Sequence, residues 1–299
     1  MNNYIRRALP IALFVAASLF LSSCHGPTTK RYPFTGRVVS IDSHTQSDII
    51  DGDAVPGFMD AMAMAYKVKP TTTLDHLLPG DSISAEVVVV RKNDDTPSDY
   101  WLENVKVIRH IDPSHAPGAN SLHLPAPGEE VPDFSFTNQS GKRISLKQYR
   151  GNVLLVTFIY TRCPFPDFCP RVSRNFAEIY QQVDTNPALA GTHLLSISFD
   201  PEHDTPKVLR DYAFSVAHTR EPALFNRWEF AAPRAADLPQ IADFFALTIK
   251  PEGGTITHNL STAVIGPDGK IVKWYHGSDW QPSDLIKDAN NDLAKRASP

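Results

Sequence analysis

The chain has 299 residues, of which 42% are hydrophobic, and it carries a formal net charge of −4 at pH 7. It is therefore long enough for two domains, and its apolar fraction is ordinary for globular protein. The basic residues are not clustered in the way that nucleic-acid binding requires, and no Gly-rich phosphate loop occurs, so the sequence predicts neither nucleic-acid nor nucleotide binding.

The first 23 residues predict an export signal, because Arg6 and Arg7 precede an apolar stretch that ends at Leu21. The sequence Leu-Ser-Ser-Cys24 resembles a bacterial lipobox, which implies that Cys24 is the lipid-modified first residue of the mature protein. The alternative is an uncleaved signal anchor. Under both interpretations we expect a membrane-anchored protein of the cell envelope, facing the periplasm or the cell exterior.

Residues 24–31 are predicted to be a short polar tether, and residues 32–111 to be a small domain. The domain contains several strand-like runs, namely 36–42, 63–68, 82–90 and 100–108. Short strands with alternating apolar and polar positions, separated by turn residues, predict a small all-β barrel of the OB-like class. Residues 112–127 are rich in proline and lack periodicity, so they are predicted to be an interdomain linker.

Residues 128–299 alternate between strand-like and helix-like segments. Strands are predicted at 154–160 and 193–199, helices at 171–182, 206–217, 237–245 and 282–294, and a hairpin at 262–265 and 271–275. Thr205 is the expected N-cap of the second helix, with Pro206 in its first position. This order of elements predicts an α/β thioredoxin-like domain.

Two cysteines, Cys163 and Cys169, lie between a predicted strand and the helix that follows it. Backbone N–H groups and the dipole at a helix start favour thiolates, and a soft ion such as Cu(I) requires thiolates. With Cys24 assigned to the anchor, no further cysteine remains for a structural disulfide. In an oxidising compartment these two thiols form a disulfide unless a metal or a reductant intervenes. The alternative is a structural or incidental pair.

His258 is the one histidine of the eleven in the chain that we expect to be a metal ligand. Thioredoxin-like reductases present a cis-proline to their thiols just before the corresponding strand. Here Thr257-His258-Asn259 occupies that position, and a histidine facing two thiols completes a three-coordinate site for a soft metal. The alternative is a surface or hydrogen-bonding histidine.

Several motifs of the second region resemble the Sco/SenC family: GEEVPDF at 128–134, TFIYTRCP at 157–164, ISFDPEHDTP at 197–206, and TH at 257–258 with IGPDG at 265–269. The resemblance covers approximately residues 128–293. It implies a thioredoxin-fold protein that binds copper through Cys163, Cys169 and His258 and helps to assemble the binuclear copper site of cytochrome c oxidase. The family has three residues between its cysteines, whereas this chain has five, so the additional residues must bulge out of the loop.

Apart from Met1, the methionines of the chain are confined to a short segment and are Met59, Met62 and Met64. Met62 and Met64 are expected to share one face of a strand, with Met59 in the turn before it. Their thioethers are soft neutral donors that suit Cu(I). The alternative is that the methionines fill an irregular barrel core.

Residues 32–110 resemble the CusF-like periplasmic copper-binding domain, a small β-barrel, through GRVVSI, PGFM, AMAM and GDxI. That family binds its ion with a histidine and two methionines, next to a tryptophan. Met62 and Met64 match the methionines, whereas the histidine position falls on Gly52 and the tryptophan position on Met59. The resemblance therefore implies a second copper site that is all-methionine, with Met59 as a third thioether, or weakened or lost.

The sequence thus predicts a metallochaperone more than a catalyst. It would pass Cu(I) to the copper-bearing subunit of a cytochrome c oxidase or to another envelope cuproprotein, and the barrel would collect or donate the ion locally. Whether Cu(II) also binds is left open. The alternative is a thiol–disulfide oxidoreductase in which Cys163 is the attacking thiolate. A peroxide-reducing enzyme of the same fold is the third hypothesis.

Overall fold

The computed structural model of the chain describes residues 28–42, 47–92, 97–110, 123–164, 166, 168–252, 255–278 and 280–297. The predicted signal peptide, the first half of the predicted tether including Cys24, and most of the predicted linker lie outside these residues. In the part of the chain that is described, no helix is long and apolar enough to cross a membrane.

The N-terminal region forms a five-stranded antiparallel sheet. Its strands are β1 (Thr28–Asp42), β2 (Ser47–Gly52), β3 (Met62–Lys67), β4 (Ser82–Arg91) and β5 (Pro97–Arg109), in the spatial order β3-β2-β1-β4-β5. Residues 28–31 belong to β1, because they pair with residues 88–91; they were predicted to be part of a polar tether. The strand β2 was not predicted.

The two edge strands of this sheet come together without a continuous ladder. A single bridge joins Val68 to Leu102, and the Tyr100 hydroxyl donates to the carbonyl of Ala65 at 3.4 Å. The predicted all-β character is therefore confirmed as a curved antiparallel sheet, whereas the described strands do not close into the expected OB-like barrel.

One carboxylic acid lies in the core of this sheet. Asp48 is two positions before the core residue Ile50 on β2, so both side chains face the same side. Asp48 is fully buried, and neither of its carboxyl oxygens has a hydrogen-bond partner among the described residues. Burial raises the pKa of Asp48 to about 7, because desolvation disfavours the charged form.

The C-terminal region is a thioredoxin-like α/β domain built on a mixed seven-stranded sheet. The sheet contains β6 (Ser135–Asn138), β7 (Arg143–Ser145), β8 (Val153–Ile159), β9 (Thr192–Ser198), β10 (Trp228–Ala232), β13 (Ser261–Ile265) and β14 (Ile271–His276). The spatial order is β14-β13-β8-β9-β10-β6-β7, and β8, β9 and β10 run parallel. A separate hairpin pairs β11 (Ile249–Glu252) with β12 (Thr255–His258).

Four helices complete this domain: α1 (Cys169–Thr185), α2 (Pro206–Val216), α3 (Leu238–Phe244) and α4 (Pro282–Ala297). The helices α1 and α4 pack against each other and against β8, and α2 packs against β10 and β6. The predicted N-cap is confirmed, because Thr205 Oγ1 accepts a hydrogen bond from the Val208 amide at 3.4 Å. The helix α1 begins at Cys169, earlier than predicted, so the second thiol belongs to the first helical turn.

Candidate metal centre

The structure brings the three predicted site residues of the second region together at the carboxyl end of β8. One ligand atom each from Cys163, Cys169 and His258 lies within 4.8 Å of the others, and Cys169 Sγ is 3.5 Å from His258 Nε2. Cys163 is partly exposed, whereas Cys169 and His258 are buried. Across the described residues, this is the one group of three or more His, Cys, Asp or Glu side chains placed to share a metal ion.

The widened loop between the cysteines does not keep the thiols apart. The chain turns as it leaves β8, where the Cys163 amide donates to the carbonyl of Tyr160 at 3.3 Å. Farther along the loop, Arg174 of α1 donates to the carbonyl of Pro166 at 3.0 Å. Pro166, in the widened loop, is therefore tied to the helix α1 by this hydrogen bond.

Two aspartates after β9 hold the start of this loop, and sequence reasoning assigned neither of them to the site. Asp204 is buried and accepts hydrogen bonds from the Thr161 amide at 3.0 Å, the Thr161 hydroxyl at 2.5 Å and the Ser198 hydroxyl at 2.6 Å. The Arg162 Nε donates to Asp200 at 2.8 Å. Both aspartates belong to the Asp-Pro-Glu-His-Asp segment, which was the sequence feature that could have identified them. Asp204 thereby fixes the backbone at Thr161, two residues before Cys163, and Asp200 holds the side chain of Arg162.

The orientation of the His258 ring is set by its own neighbour in the chain. His258 Nδ1 lies 2.7 Å from the carbonyl oxygen of Asn259. A carbonyl only accepts, so Nδ1 carries the proton, and the tautomer follows from this hydrogen bond. Nε2 then presents its lone pair towards Cys169 Sγ, which is the form in which an imidazole binds a metal.

Aromatic rings surround this imidazole and keep the site apolar. The ring centroids of Tyr160, Phe168 and Phe199 lie 5.5, 6.2 and 4.7 Å from that of His258. Burial is the main cause, and the neighbouring Cys163 a further cause, of a pKa of the Cys169 thiol well above its ordinary value. The Cys169 thiol is therefore protonated at neutral pH, and a bound metal must displace its proton.

The three methionines lie where the sequence predicted them, but they do not all pack in the same way. Met62 and Met64 both lie on β3, with the same parity, and Met59 precedes the strand in a turn. The Tyr66 hydroxyl donates to Met59 Sδ at 3.3 Å, and Met59 packs against the core of the sheet. One lone pair of the Met59 sulfur is thus already engaged, and a second metal site at these methionines remains a prediction.

The position expected for the histidine of that second site has no space for a side chain. A Cβ built on Gly52 would lie 2.7 Å from Cε2 of Phe34, closer than real Cβ contacts. The Phe34 ring occupies the space that a larger residue would use. Glycine at this position therefore agrees with the packing of the sheet.

The sequence of this chain is similar to those of several known proteins. The model of the SCO1/SenC family matches residues 124–294. The SCO1 protein homolog of Bacillus subtilis (strain 168) is 32% identical over 167 residues, which are 54% of this chain and 82% of that protein. The mitochondrial SCO1 homolog of Homo sapiens is 27% identical over 148 residues, which are 48% of this chain and 46% of that protein.

Among solved structures, a SCO1/SenC family lipoprotein from Bacillus anthracis str. Ames is 26% identical and has a TM-score of 0.49. The alignment covers 56% of this chain and 98% of that chain. The chain thus spans most of the Bacillus subtilis protein and about half of the human one. The N-terminal sheet lies before the residues that match the family.

Proposed function

Because the chain belongs to the SCO1/SenC family, we propose that it is a copper metallochaperone that binds Cu(I) through Cys163, Cys169 and His258. The observation that carries the proposal is the convergence of two thiols and an imidazole within 4.8 Å. Two thiolates and a neutral nitrogen form a soft donor set that suits Cu(I). The recipient that we propose is the copper-bearing subunit of a cytochrome c oxidase, and this part rests on family membership.

The residues have different tasks in taking up and releasing the ion. Cu(I) displaces the thiol protons, so two thiolates and the monovalent ion leave the site with a net charge of −1. His258 contributes the lone pair of Nε2, while its Nδ1 is held by the carbonyl of Asn259. Cys163 is partly exposed, so an incoming ligand of the recipient reaches the ion on this side and replaces the protein ligands one after another.

We also propose that the protein works at the cell envelope as a lipoprotein. Support comes from the sequence, in which Cys24 ends an apolar leader. Radiolabelled fatty-acid incorporation tests this, because Cys24→Ser should abolish labelling while Cys163→Ser leaves it intact. Labelling that survives Cys24→Ser would contradict the anchor.

The copper proposal is tested by Cu(I) binding to the reduced chain from His25 onward under anaerobic conditions. The double variant Cys163→Ser/Cys169→Ser should lose one equivalent of Cu(I), and His258→Ala should bind much more weakly. His203→Ala is a matched control, because His203 is exposed and is not part of the group. Wild-type binding by His258→Ala would remove the main support for the proposal.

The second candidate function is thiol–disulfide exchange, and the unequal burial of the cysteines favours it. Cys163 is partly exposed and Cys169 is buried, and neither forms a disulfide. In such a pair the exposed thiolate attacks a substrate disulfide, and the buried thiol then resolves the mixed disulfide. The substrate leaves as two thiols, and Cys163 and Cys169 are oxidised to a disulfide. Under this alternative, His258→Ala should leave the exchange rate unchanged.

A further inference from the structure

The hairpin that carries His258 is attached to the N-terminal sheet. On β11, Lys250 Nζ lies 2.9 Å from Asp60 Oδ2. After β12, Asn259 Nδ2 donates to the carbonyl of Ala63 at 3.0 Å. Since Ile249 pairs with His258 in this hairpin, both attachments lie within one residue of the His258 pair. The segment 60–63 therefore lies along the hairpin of the metal centre.

The side chain of Asn259 has a partner for each of its polar atoms. Besides Ala63, its Nδ2 donates to the carbonyl of Ala246 at 2.8 Å, and its Oδ1 accepts from the Thr248 amide at 2.9 Å. A side-chain amide with this many bonds has one orientation, because any rotation breaks several of them. Asn259 is thus a fixed connection between two parts of the molecule.

The backbone of the same residue holds the imidazole. The carbonyl of Asn259 accepts a hydrogen bond from Nδ1 of His258 at 2.7 Å, and this bond directs Nε2 towards Cys169. Asn259 therefore forms a hydrogen bond to the strand β3 through its side chain and fixes the tautomer of His258 through its main-chain carbonyl. A shift of either contact displaces the other, because the side chain and the carbonyl group are bonded to the same Cα.

We propose that Asn259 is a positioning residue through which the docked N-terminal sheet sets the orientation of His258 and hence the copper affinity of the centre. This inference rests on the proposed function, because His258 must be a ligand for its orientation to matter. The strand that Asn259 holds is also the strand of Met62 and Met64, which flank Ala63. The chain thereby ties the methionine segment to the metal centre.

The first test compares Asn259→Ala and Asn259→Asp with the parent in the full mature chain. Cu(I) affinity is measured anaerobically by competition with a chromophoric chelator. We expect a loss of about 10-fold or more, since partners that orient a metal ligand are worth roughly 10–100-fold in affinity. The aspartate adds negative charge near a cation, which by itself would tighten binding. Weaker Cu(I) binding by Asn259→Asp therefore reports on the position of His258 and not on the added charge.

The second readout needs no metal. Nitrogen-15 chemical shifts of the His258 ring in the copper-free protein distinguish an Nδ1-protonated imidazole from a mixture of tautomers. We expect the parent to show the Nδ1-protonated form and both Asn259 variants to show a mixture. Thermal unfolding of each variant verifies that the loss is not global unfolding.

A perturbation on the sheet side separates docking from local effects in the hairpin. Asp60→Lys should repel Lys250 and weaken Cu(I) binding, and the exchanged pair Asp60→Lys/Lys250→Asp should restore it. If Asp60→Lys binds Cu(I) like the parent, the coupling to the sheet is wrong even if Asn259 orients His258.

The outcomes also distinguish this inference from the proposed function. If the parent binds Cu(I) through its cysteines and the Asn259 variants match it in affinity and tautomer, the inference is overturned and the metallochaperone stands. If the parent shows no cysteine-dependent Cu(I) binding, the proposed function is overturned, and the inference falls with it whatever the tautomer shows.

Discussion

At the scale of single residues, the buried thiol of Cys169 determines how the centre responds to protons. Its pKa is raised by burial and by the nearby Cys163, so the proton is still bound at neutral pH. Under the proposed function, protons and Cu(I) compete for the same sulfur. We therefore expect local acidification to favour copper release.

The first prediction is that Cu(I) affinity rises with pH throughout the neutral range. Because the thiol pKa lies above this range, each unit of pH should raise the affinity by about tenfold for every proton displaced. Competition titrations at a series of pH values give the slope. Cys169→Ser should reduce it, and a parent protein with a pH-independent affinity would show that the thiols are already ionised.

A second prediction concerns the aspartate beneath the thiol loop. Asp204→Asn keeps the shape of the side chain but leaves one acceptor oxygen for three donated hydrogen bonds. The free energy of unfolding should fall by about 1–3 kcal/mol, the cost of unsatisfied buried polar groups, and Cu(I) affinity should fall with it.

Chemical denaturation and chelator competition measure these two effects of Asp204→Asn. The matched control is Glu202→Gln, because Glu202 is an exposed residue of the same loop and should change neither quantity. Equal behaviour of the two variants would mean that Asp204 does not hold the loop.

The sequence was sufficient to predict the chemistry of the centre but not its supports. Cys163 and Cys169 were identifiable by their position between a strand and a helix, and His258 by its position before a strand and by the resemblance to the Sco/SenC family. Asn259 and Asp204 are ordinary polar residues whose role depends on partners 196 and 43 positions away in the chain. Such partners are brought together only by folding.

At the scale of elements, the strand β2 carries a carboxyl group at a position where the core of a sheet normally has an apolar side chain. The folded pKa of Asp48 is about 7, against an ordinary 3.8. Between these values the folded protein retains a proton that the unfolded chain has released. Stability should therefore decrease as pH rises through this window, which is opposite to the behaviour of a paired aspartate.

The third prediction follows from this sign. Asp48→Asn should stabilise the protein above pH 7 by up to about 4 kcal/mol, the equivalent of the pKa difference, and the gain should vanish below about pH 4, where both side chains are neutral. Urea unfolding above pH 7 and below pH 4 measures the difference in free energy of unfolding between this variant and the parent. Asp51→Asn on the same strand is the control, because Asp51 is exposed; a gain independent of pH would contradict the assignment.

The fourth prediction concerns the methionine strand. In the Cys163→Ser/Cys169→Ser background, residual Cu(I) binding should disappear in Met62→Leu/Met64→Leu. It should persist in Met59→Leu, whose sulfur already accepts the Tyr66 hydroxyl. Leucine preserves volume at a cost usually below about 1.5 kcal/mol, so folding is retained. Residual binding unaffected by the Met62 and Met64 changes would assign these methionines to packing.

The long strands were predictable from periodicity, whereas several short or polar strands were not. The long strands β4, β5, β8 and β9 show alternating or continuous apolar residues. The elements that were missed are β2, which contains a buried aspartate, the short strands β6, β7 and β10, and the mainly polar hairpin β11–β12. These segments are strands because neighbours supply their hydrogen bonds, which the local pattern does not reveal.

At the scale of the whole molecule, the two regions are joined by polar contacts next to the metal centre. If docking of the N-terminal sheet raises the Cu(I) affinity of the metal centre, bound Cu(I) must favour docking by the same free energy. Cu(I) at the thiols should therefore stabilise the docked position of β3.

The fifth prediction expresses this reciprocity. Loading Cu(I) should slow amide hydrogen exchange in the segment 60–65 of the parent protein, because the docked state is populated more. Mass spectrometry of the exchanged peptides measures it, with Met62→Leu/Met64→Leu as background to exclude binding at the methionines. Cys163→Ser/Cys169→Ser in that background should show no slowing, and slowing that survives the loss of both thiols would contradict the link.

The way in which the two edge strands of the N-terminal sheet, β3 and β5, meet has a consequence for solubility. Its edges meet at one bridge, between Val68 and Leu102, and an open strand edge is a template on which other polypeptides add and aggregate. The amide of Asn259 covers the edge carbonyl of Ala63. We therefore expect the C-terminal domain to protect this part of the β3 edge from pairing with another chain.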